Sequence, residues 1–243
     1  MISFIERLQN YRTRLHRYRY QHAIDMAHKY SVDKNPDDYK TIRKIIDAYR
    51  SGGGLSHNFQ EYKLFQLRKL LQRIKPRMIL ELGSGSSTAI FAEYVRLSQD
   101  PCFVCSIDDN ESWLTQAKEI AWDGRNLDGL SEFIYAPRVV NENLIPPESR
   151  YDIVLEPKYD FVFIDGPPMR AGNKKNKLMI NSNIFDLING YAPKTVIVDI
   201  RRPTVEEIQR RYSEIYEIQL SDVILGEANK RDYNYFTKFT KLV

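Results

Sequence analysis

Residues Met78-Ile79-Leu80-Glu81-Leu82 form a short apolar run that ends in Gly83-Ser84-Gly85-Ser86-Ser87-Thr88, and a later apolar run closes on Ile107-Asp108. The first run reads as a buried strand, the glycines as a turn that a ligand can approach closely, and Thr88-Ala89-Ile90-Phe91 as a helix start. Strand, bare turn and helix in that order constrain the chain to a nucleotide-binding corner of an α/β sheet. Asp108 follows Gly85 by roughly 20 residues, the spacing at which a Rossmann unit places the acid that holds a ribose.

The residues around the glycines divide the adenosine-bearing ligands. A dinucleotide site uses a third glycine three places after Gly85 for close helix packing, and Thr88 stands there, which disfavours NAD and FAD. Glu81 puts an acid at the end of the strand, where it suits a cation better than a diphosphate. S-adenosylmethionine carries an ammonium and a sulfonium.

On these residues the chain resembles the class I S-adenosylmethionine-dependent methyltransferases. Glu81-Leu82-Gly83-Ser84-Gly85-Ser86-Ser87 is similar to their first motif, with Ser87 in place of a third small glycine. Tyr159-Asp160-Phe161-Val162-Phe163-Ile164-Asp165-Gly166-Pro167-Pro168 resembles the family's fourth strand, and Lys194-Thr195-Val196-Ile197-Val198-Asp199 its fifth. The likeness spans about residues 56–243 and is closest to members that methylate small molecules or glycans. It implies a Rossmann-like, doubly wound, mostly parallel seven-stranded sheet with one antiparallel strand near the C-terminus.

Composition agrees with one such domain. A chain of 243 residues with 42% hydrophobic content buries a substantial core, and the formal charge of +4 permits acidic partners without requiring nucleic acid. Cys102 and Cys105 flank the apolar Phe103-Val104, where a strand points them to opposite faces, so they read as unpaired buried thiols rather than metal ligands. With no long apolar run and no signal-peptide pattern, a cytoplasmic setting is expected.

Two segments organise the chain: a helical extension over residues 1–50 and a methyltransferase-like domain over 51–243. Phe4, Leu8, Tyr11, Leu15, Tyr18 and His22 recur at alternating spacings of four and three, the seam of an amphipathic helix whose other faces carry Arg7, Arg12, Arg14, Arg17 and Arg19. That seam packs on the domain or makes a homodimer; its basic face is open to RNA, an acidic glycan or peripheral contact with an anionic membrane. Asn35-Pro36-Asp37-Asp38 predicts a helix start with Asn35 as cap, running to about Tyr49. Asn58 with Glu61 predicts a capping box for another helix ending before Pro76. By resemblance the glycine-rich Gly52 to Gln60 is a cofactor lid; as sequence it is equally an interhelix loop. Strands are predicted near 78–82, 103–107, 132–136, 160–164 and 195–199, with closing strands over 216–220 and 233–237. The stretch from Arg138 to Lys158 reads as a long connection that can wall an acceptor site.

Ligands bind beyond the carboxyl ends of such strands, which selects the candidate site. By resemblance, Glu81, Gly83, Ser84, Gly85, Ser86, Ser87 and Thr88 face the methionine part of the cofactor, Asp108 holds the ribose, and Ala136 and Pro137 lie near the adenine. Trp113 is read as packing or as an adenine contact. A hydroxyl acceptor needs its proton removed or its pKa lowered, and Asp165 is the candidate base, also beside the cofactor. Asp165 and Asp199 end adjacent strands and can share a divalent cation such as Mg2+, as in catechol-type O-methyltransferases, although Ile200 replaces the asparagine of that pattern. Arg170, Arg201, His57 and Tyr151 are candidate acceptor contacts, Arg170 heading a basic loop that suits an anionic group.

The expected activity is methyl transfer from S-adenosylmethionine to a hydroxyl of a sugar or another small polar acceptor. Two alternatives are an RNA methyltransferase that uses the basic first helix, and a non-catalytic binding or scaffold subunit built on the same fold.

Overall fold

The computed structural model describes residues 21–52, 60–122, 127–156, 158–170, 178–225 and 233–242. Most of the basic N-terminal seam, the segment 53–59 with His57 and Asn58, and most of the basic loop after Arg170 lie outside the described residues.

Three helices precede the sheet: α1, helical over residues 21–34, α2 (Pro36–Ser51) and α3 (Gln60–Ile74). Pro36 opens α2 as predicted, but Asn35 makes no side-chain cap; its amide donates to the Ser31 carbonyl at 3.0 Å and closes the end of α1 instead. Glu61 is drawn toward Arg43 and His28, each at 3.1 Å, tying α3 to α1 and α2. Ala23, Ile24, Ala27, Tyr39, Ile42 and Ile46 are buried in one cluster with Ile79 and Phe161 of the sheet and with Phe91 of the helix that follows the first strand.

From Met78 strands and helices alternate. β1 (Met78–Leu82), α4 (Ser86–Leu97), β2 (Phe103–Asp108), α5 (Glu111–Trp122) and β3 (Ser131–Tyr135) form the first half. β4 (Arg138–Asn141), β5 (Glu148–Tyr151), β6 (Phe161–Ile164), β7 (Ile180–Asn181), α6 (Asn183–Gly190), β8 (Thr195–Val198), α7 (Arg202–Tyr212), β9 (Tyr216–Gln219), the short α8 (Asp222–Leu225) and β10 (Thr237–Lys241) complete the chain. The main sheet has the order β3-β2-β1-β6-β8-β10-β9; β10 runs antiparallel to β8 and β9, and the other pairings are parallel. This is the expected seven-stranded, doubly wound sheet.

Two expectations are corrected. The connection from Arg138 to Lys158 contains β4 and β5, which with β7 form a second three-stranded sheet. The last strand starts at Thr237 rather than Tyr233, because Tyr233 and Asn234 are held by groups outside any ladder: Tyr62 donates to the Tyr233 carbonyl at 2.5 Å, and Asp222 accepts from the Asn234 amide at 2.6 Å.

Side-chain parity sorts the core into two layers. Ile79, Phe161, Phe163 and Ile197 face α1 to α4, while Leu80, Leu82, Val162, Ile164, Val196 and Val198 pack in the opposite layer with Ile184 of α6 and Ile208 of α7. Cys102 and Cys105 are free, buried and divided between these layers, as the strand reading required.

Candidate functional site

Register places the site. Leu82 pairs with both Ile107 and Ile164, and Ile164 pairs with Val198, so β2, β1, β6 and β8 end in one row. The residues just past that row, Gly83, Asp165 and Asp199, together with Asp108 at the end of β2, therefore share one edge. Strand order reverses between β1 and β6, the switch point at which an open α/β sheet leaves a crevice. A cleft of about 450 Å3 opens there, lined by Gly83, Ser84, Asp108, Trp113, Asp165 and Arg201 among others. A larger cavity of about 600 Å3 between α1, α3 and the β9–β10 side shares none of these residues.

The turn after β1 is held from three sides. Gly83 has φ +99°, a left-handed conformation, and its amide donates to the Ile107 carbonyl at 2.9 Å. Asp108 Oδ2 accepts from the Ser84 amide at 2.8 Å and from its hydroxyl at 3.1 Å, and Oδ1 accepts from the Asn110 amide at 2.9 Å. Trp113 donates its indole N–H to the Ser84 carbonyl at 2.7 Å while its ring meets Tyr49 edge-on. Burial raises the Asp108 carboxyl above its ordinary range, an effect those amide and hydroxyl donors oppose.

Glu81 lies elsewhere than its sequence position suggested. It shares the parity of Ile79, is completely buried, and accepts from the hydroxyls of Ser87 at 2.5 Å, Ser106 at 2.6 Å and Thr88 at 2.8 Å. Its carboxylate braces the start of α4 rather than facing the cleft; burial pushes its pKa up to about 7 against those three donors. Ser86, Ser87 and Thr88 are buried at the start of α4 and do not line the cleft, while Gly85 adjoins it, its α-carbon facing the Trp113 indole; Thr88 Oγ1 accepts from the Gly85 amide at 2.9 Å. Ala136 and Pro137 follow β3 beside the cleft: the Ala136 amide donates to the Asp108 carbonyl at 3.0 Å, and neither residue is in the lining.

The expected carboxylate pair is present, with a partner the sequence reading missed. Lys63 Nζ of α3 stands between the two, 2.6 Å from Asp165 Oδ2 and 2.9 Å from Asp199 Oδ2. Arg201 approaches Asp165 Oδ1 at 3.6 Å and donates to the Pro167 carbonyl at 2.7 Å. Burial would raise the Asp165 pKa, but Lys63 and Arg201 together hold it below the ordinary value. Asp199 is pushed up to about 6 by burial, with the Asp165 charge adding to the rise and Lys63 opposing it. Asp165 is the member that lines the cleft; Asp199 lies behind it.

Among the acceptor candidates, Arg201 lines the cleft and Tyr151 does so from a fully buried position on β5. Arg170 is exposed outside the cleft, its carbonyl accepting from Arg138 at 3.4 Å. The cation expected from Asp165 and Asp199 does not fit the donor set: Lys63 occupies the space between the oxygens, and Ile200 supplies no side-chain ligand. Among the described residues no group of three or more His, Cys, Asp or Glu side chains is placed to hold a metal ion. No described helix is long and apolar enough to cross a membrane.

No family model and no curated protein matches the sequence. Solved structures do match the fold. One is a Staphylococcus aureus protein described as a caffeoyl-CoA O-methyltransferase, with TM-score 0.52 and 18% identity, covering 88% of this chain and 98% of that one. Another is a methyltransferase from Geobacter sulfurreducens, with TM-score 0.50 and 14% identity, covering 83% of this chain and 89% of that one. The chain has the Rossmann-like architecture of these proteins.

Proposed function

We propose that this protein transfers a methyl group from S-adenosylmethionine to a hydroxyl of a sugar or another small polar acceptor. The observation that carries the reading is the common cleft of Ser84, Asp108 and Asp165, which brings the glycine turn and two strand-end carboxylates into one space of about 450 Å3. That volume suits a nucleoside-sized ligand, for which sites of roughly 300–1,000 Å3 are usual.

Asp108 can accept from both ribose hydroxyls at the mouth of the cleft, and Trp113 offers an aromatic wall beside the turn. When bound, S-adenosylmethionine supplies a methyl group on a cationic sulfur that leaves with the bonding electron pair, so the protein has no acid to provide on that side. Alignment of acceptor oxygen and methyl carbon is the main demand on the chain. Asp165 presents its partly exposed carboxylate to the acceptor hydroxyl, and the Asp165–Asp199 pair takes up the proton as the new bond forms.

Titration calorimetry of the full chain with S-adenosylmethionine and S-adenosylhomocysteine tests the reading. Saturable micromolar binding of both supports it and opens a screen of hydroxylated acceptors, glycans first. Binding of neither defeats it and favours a scaffold subunit built on the same fold.

A further inference from the structure

We infer that the Lys63 ammonium is the resident cation of this site, standing where a divalent ion would bridge Asp165 and Asp199, and that the site works without a metal. Both contacts go to the Oδ2 atoms, at 2.6 and 2.9 Å, on the inner side of the pair. A Mg2+ bridging the same two oxygens at about 2.0–2.1 Å would have to stand inside the volume of the ammonium.

The lysine is built in rather than laid across the surface. Lys63 lies on the stripe of α3 that also carries Leu67, Leu70 and Ile74, its side chain is 8% exposed, and Nζ sits 5.9 Å from the centre of the buried Phe163 ring. Asp165 and Asp199 share the parity of Phe163 and Ile197, the face that packs against α3. The carboxylates are therefore aimed at the helix that delivers the charge.

Charge balance points the same way. Lys63 and Arg201 set two positive charges against two carboxylates, and a divalent ion added to that buried set would leave two positive charges without counterions. Asp199 Oδ1 is already engaged by the Ile200 amide at 2.9 Å. Lys63 is a positioning residue: it fixes Asp165 beside the cleft and keeps Asp199 paired. This catalytic half rests on the methyl-transfer reading; the exclusion of a bridging metal does not.

The test is titration of the full-length protein with Mn2+, read by the paramagnetic resonance of the free ion and by melting temperature, in wild type, Lys63→Ala and Asp165→Asn. The wild type is expected to show no saturable site and no thermal shift at millimolar Mn2+. Lys63→Ala, with the cavity opened between two carboxylates, is expected to take up one Mn2+ and to melt higher in its presence. A wild type that binds one Mn2+ and loses it in Asp165→Asn overturns the inference, as does a folded Lys63→Ala protein that takes up none. If Lys63→Ala does not fold even with Mn2+, the wild-type titration decides. S-adenosylhomocysteine affinity of the same wild-type sample, measured with EDTA and with Mg2+, separates the two readings: absent binding counts against the proposed function and leaves the Mn2+ result standing.

Discussion

Gly83 and Gly166 bring two strand-end turns into backbone contact: a β-carbon on Gly83 would stand 2.4 Å from the Gly166 nitrogen, and one on Gly166 would stand 2.5 Å from the Gly83 α-carbon. The turn after β1, which lines the cleft, and the turn that carries Asp165 are thus locked together by the absence of side chains. Gly83→Ala is expected to cost on the order of 3 kcal/mol, combining left-handed strain with a backbone clash. Gly129 supplies the control, since it also has positive φ (+74°) but nothing within 4 Å of an added β-carbon. Gly129→Ala is expected to cost only the strain, about 1 kcal/mol. Urea unfolding of both variants measures the difference, and equal losses would contradict the close-approach account.

Asp108 is expected to be the largest single contributor to cofactor affinity. Asp108→Ala removes the acceptors for a ribose and releases the Ser84 and Asn110 amides that the carboxylate now holds. A loss of about 2–3 kcal/mol in S-adenosylhomocysteine binding is expected from charge-assisted hydrogen bonds of this kind. Calorimetry reads it directly, and unchanged affinity would remove the ribose from this end of β2.

Trp113, one of two tryptophans in the chain, reports on the same cleft. S-adenosylhomocysteine is expected to change the tryptophan emission of the wild type and to leave that of Trp113→Phe unchanged. The substitution keeps the ring wall but deletes the bond to the Ser84 carbonyl, so affinity is expected to weaken by about 1 kcal/mol. A titration in which Trp113→Phe responds as strongly as the wild type would place the ligand elsewhere.

The parts of this molecule that were legible in its sequence are those whose signal is local. Strands buried on both faces read as unbroken apolar runs, and their ends then place Asp108 and Asp165 on one edge, where both line the same cleft. Sequence distance puts Glu81 beside the glycines, yet its surroundings are set by parity and by the Ser106 hydroxyl of the neighbouring strand, which no local pattern reveals. β5 is not legible as a strand because Glu148-Ser149-Arg150-Tyr151 has no apolar run. Lys63 did leave a trace: with Leu67, Leu70 and Ile74 it follows the four-three-four spacing of a core stripe, and a lysine at such a position needs a buried counter-charge. Which carboxylates answer it depends on pairings more than a hundred residues apart, 102 to Asp165 and 136 to Asp199.

Glu81 makes stability depend on pH in an unusual direction for a carboxylate. Its pKa rises from an ordinary 4.5 to about 7 because burial outweighs three hydroxyl donors. Between those values the folded protein holds a proton that the unfolded chain has released, so this group's contribution falls as pH rises from about 4.5 to 7 and is constant above. The full change is on the order of 3 kcal/mol. Asp199 moves in the same direction and Asp165 in the opposite one, so the informative quantity is the difference between wild type and Glu81→Gln. Glutamine resembles the protonated acid, and the Ser87, Thr88 and Ser106 hydroxyls can rotate to accept from its amide. The stability of the wild type relative to Glu81→Gln is therefore expected to decline across that window, as followed by urea unfolding at stepped pH. Parallel profiles for the two proteins would mean that Glu81 titrates at its ordinary value, and that the hydroxyl cradle compensates fully for its burial.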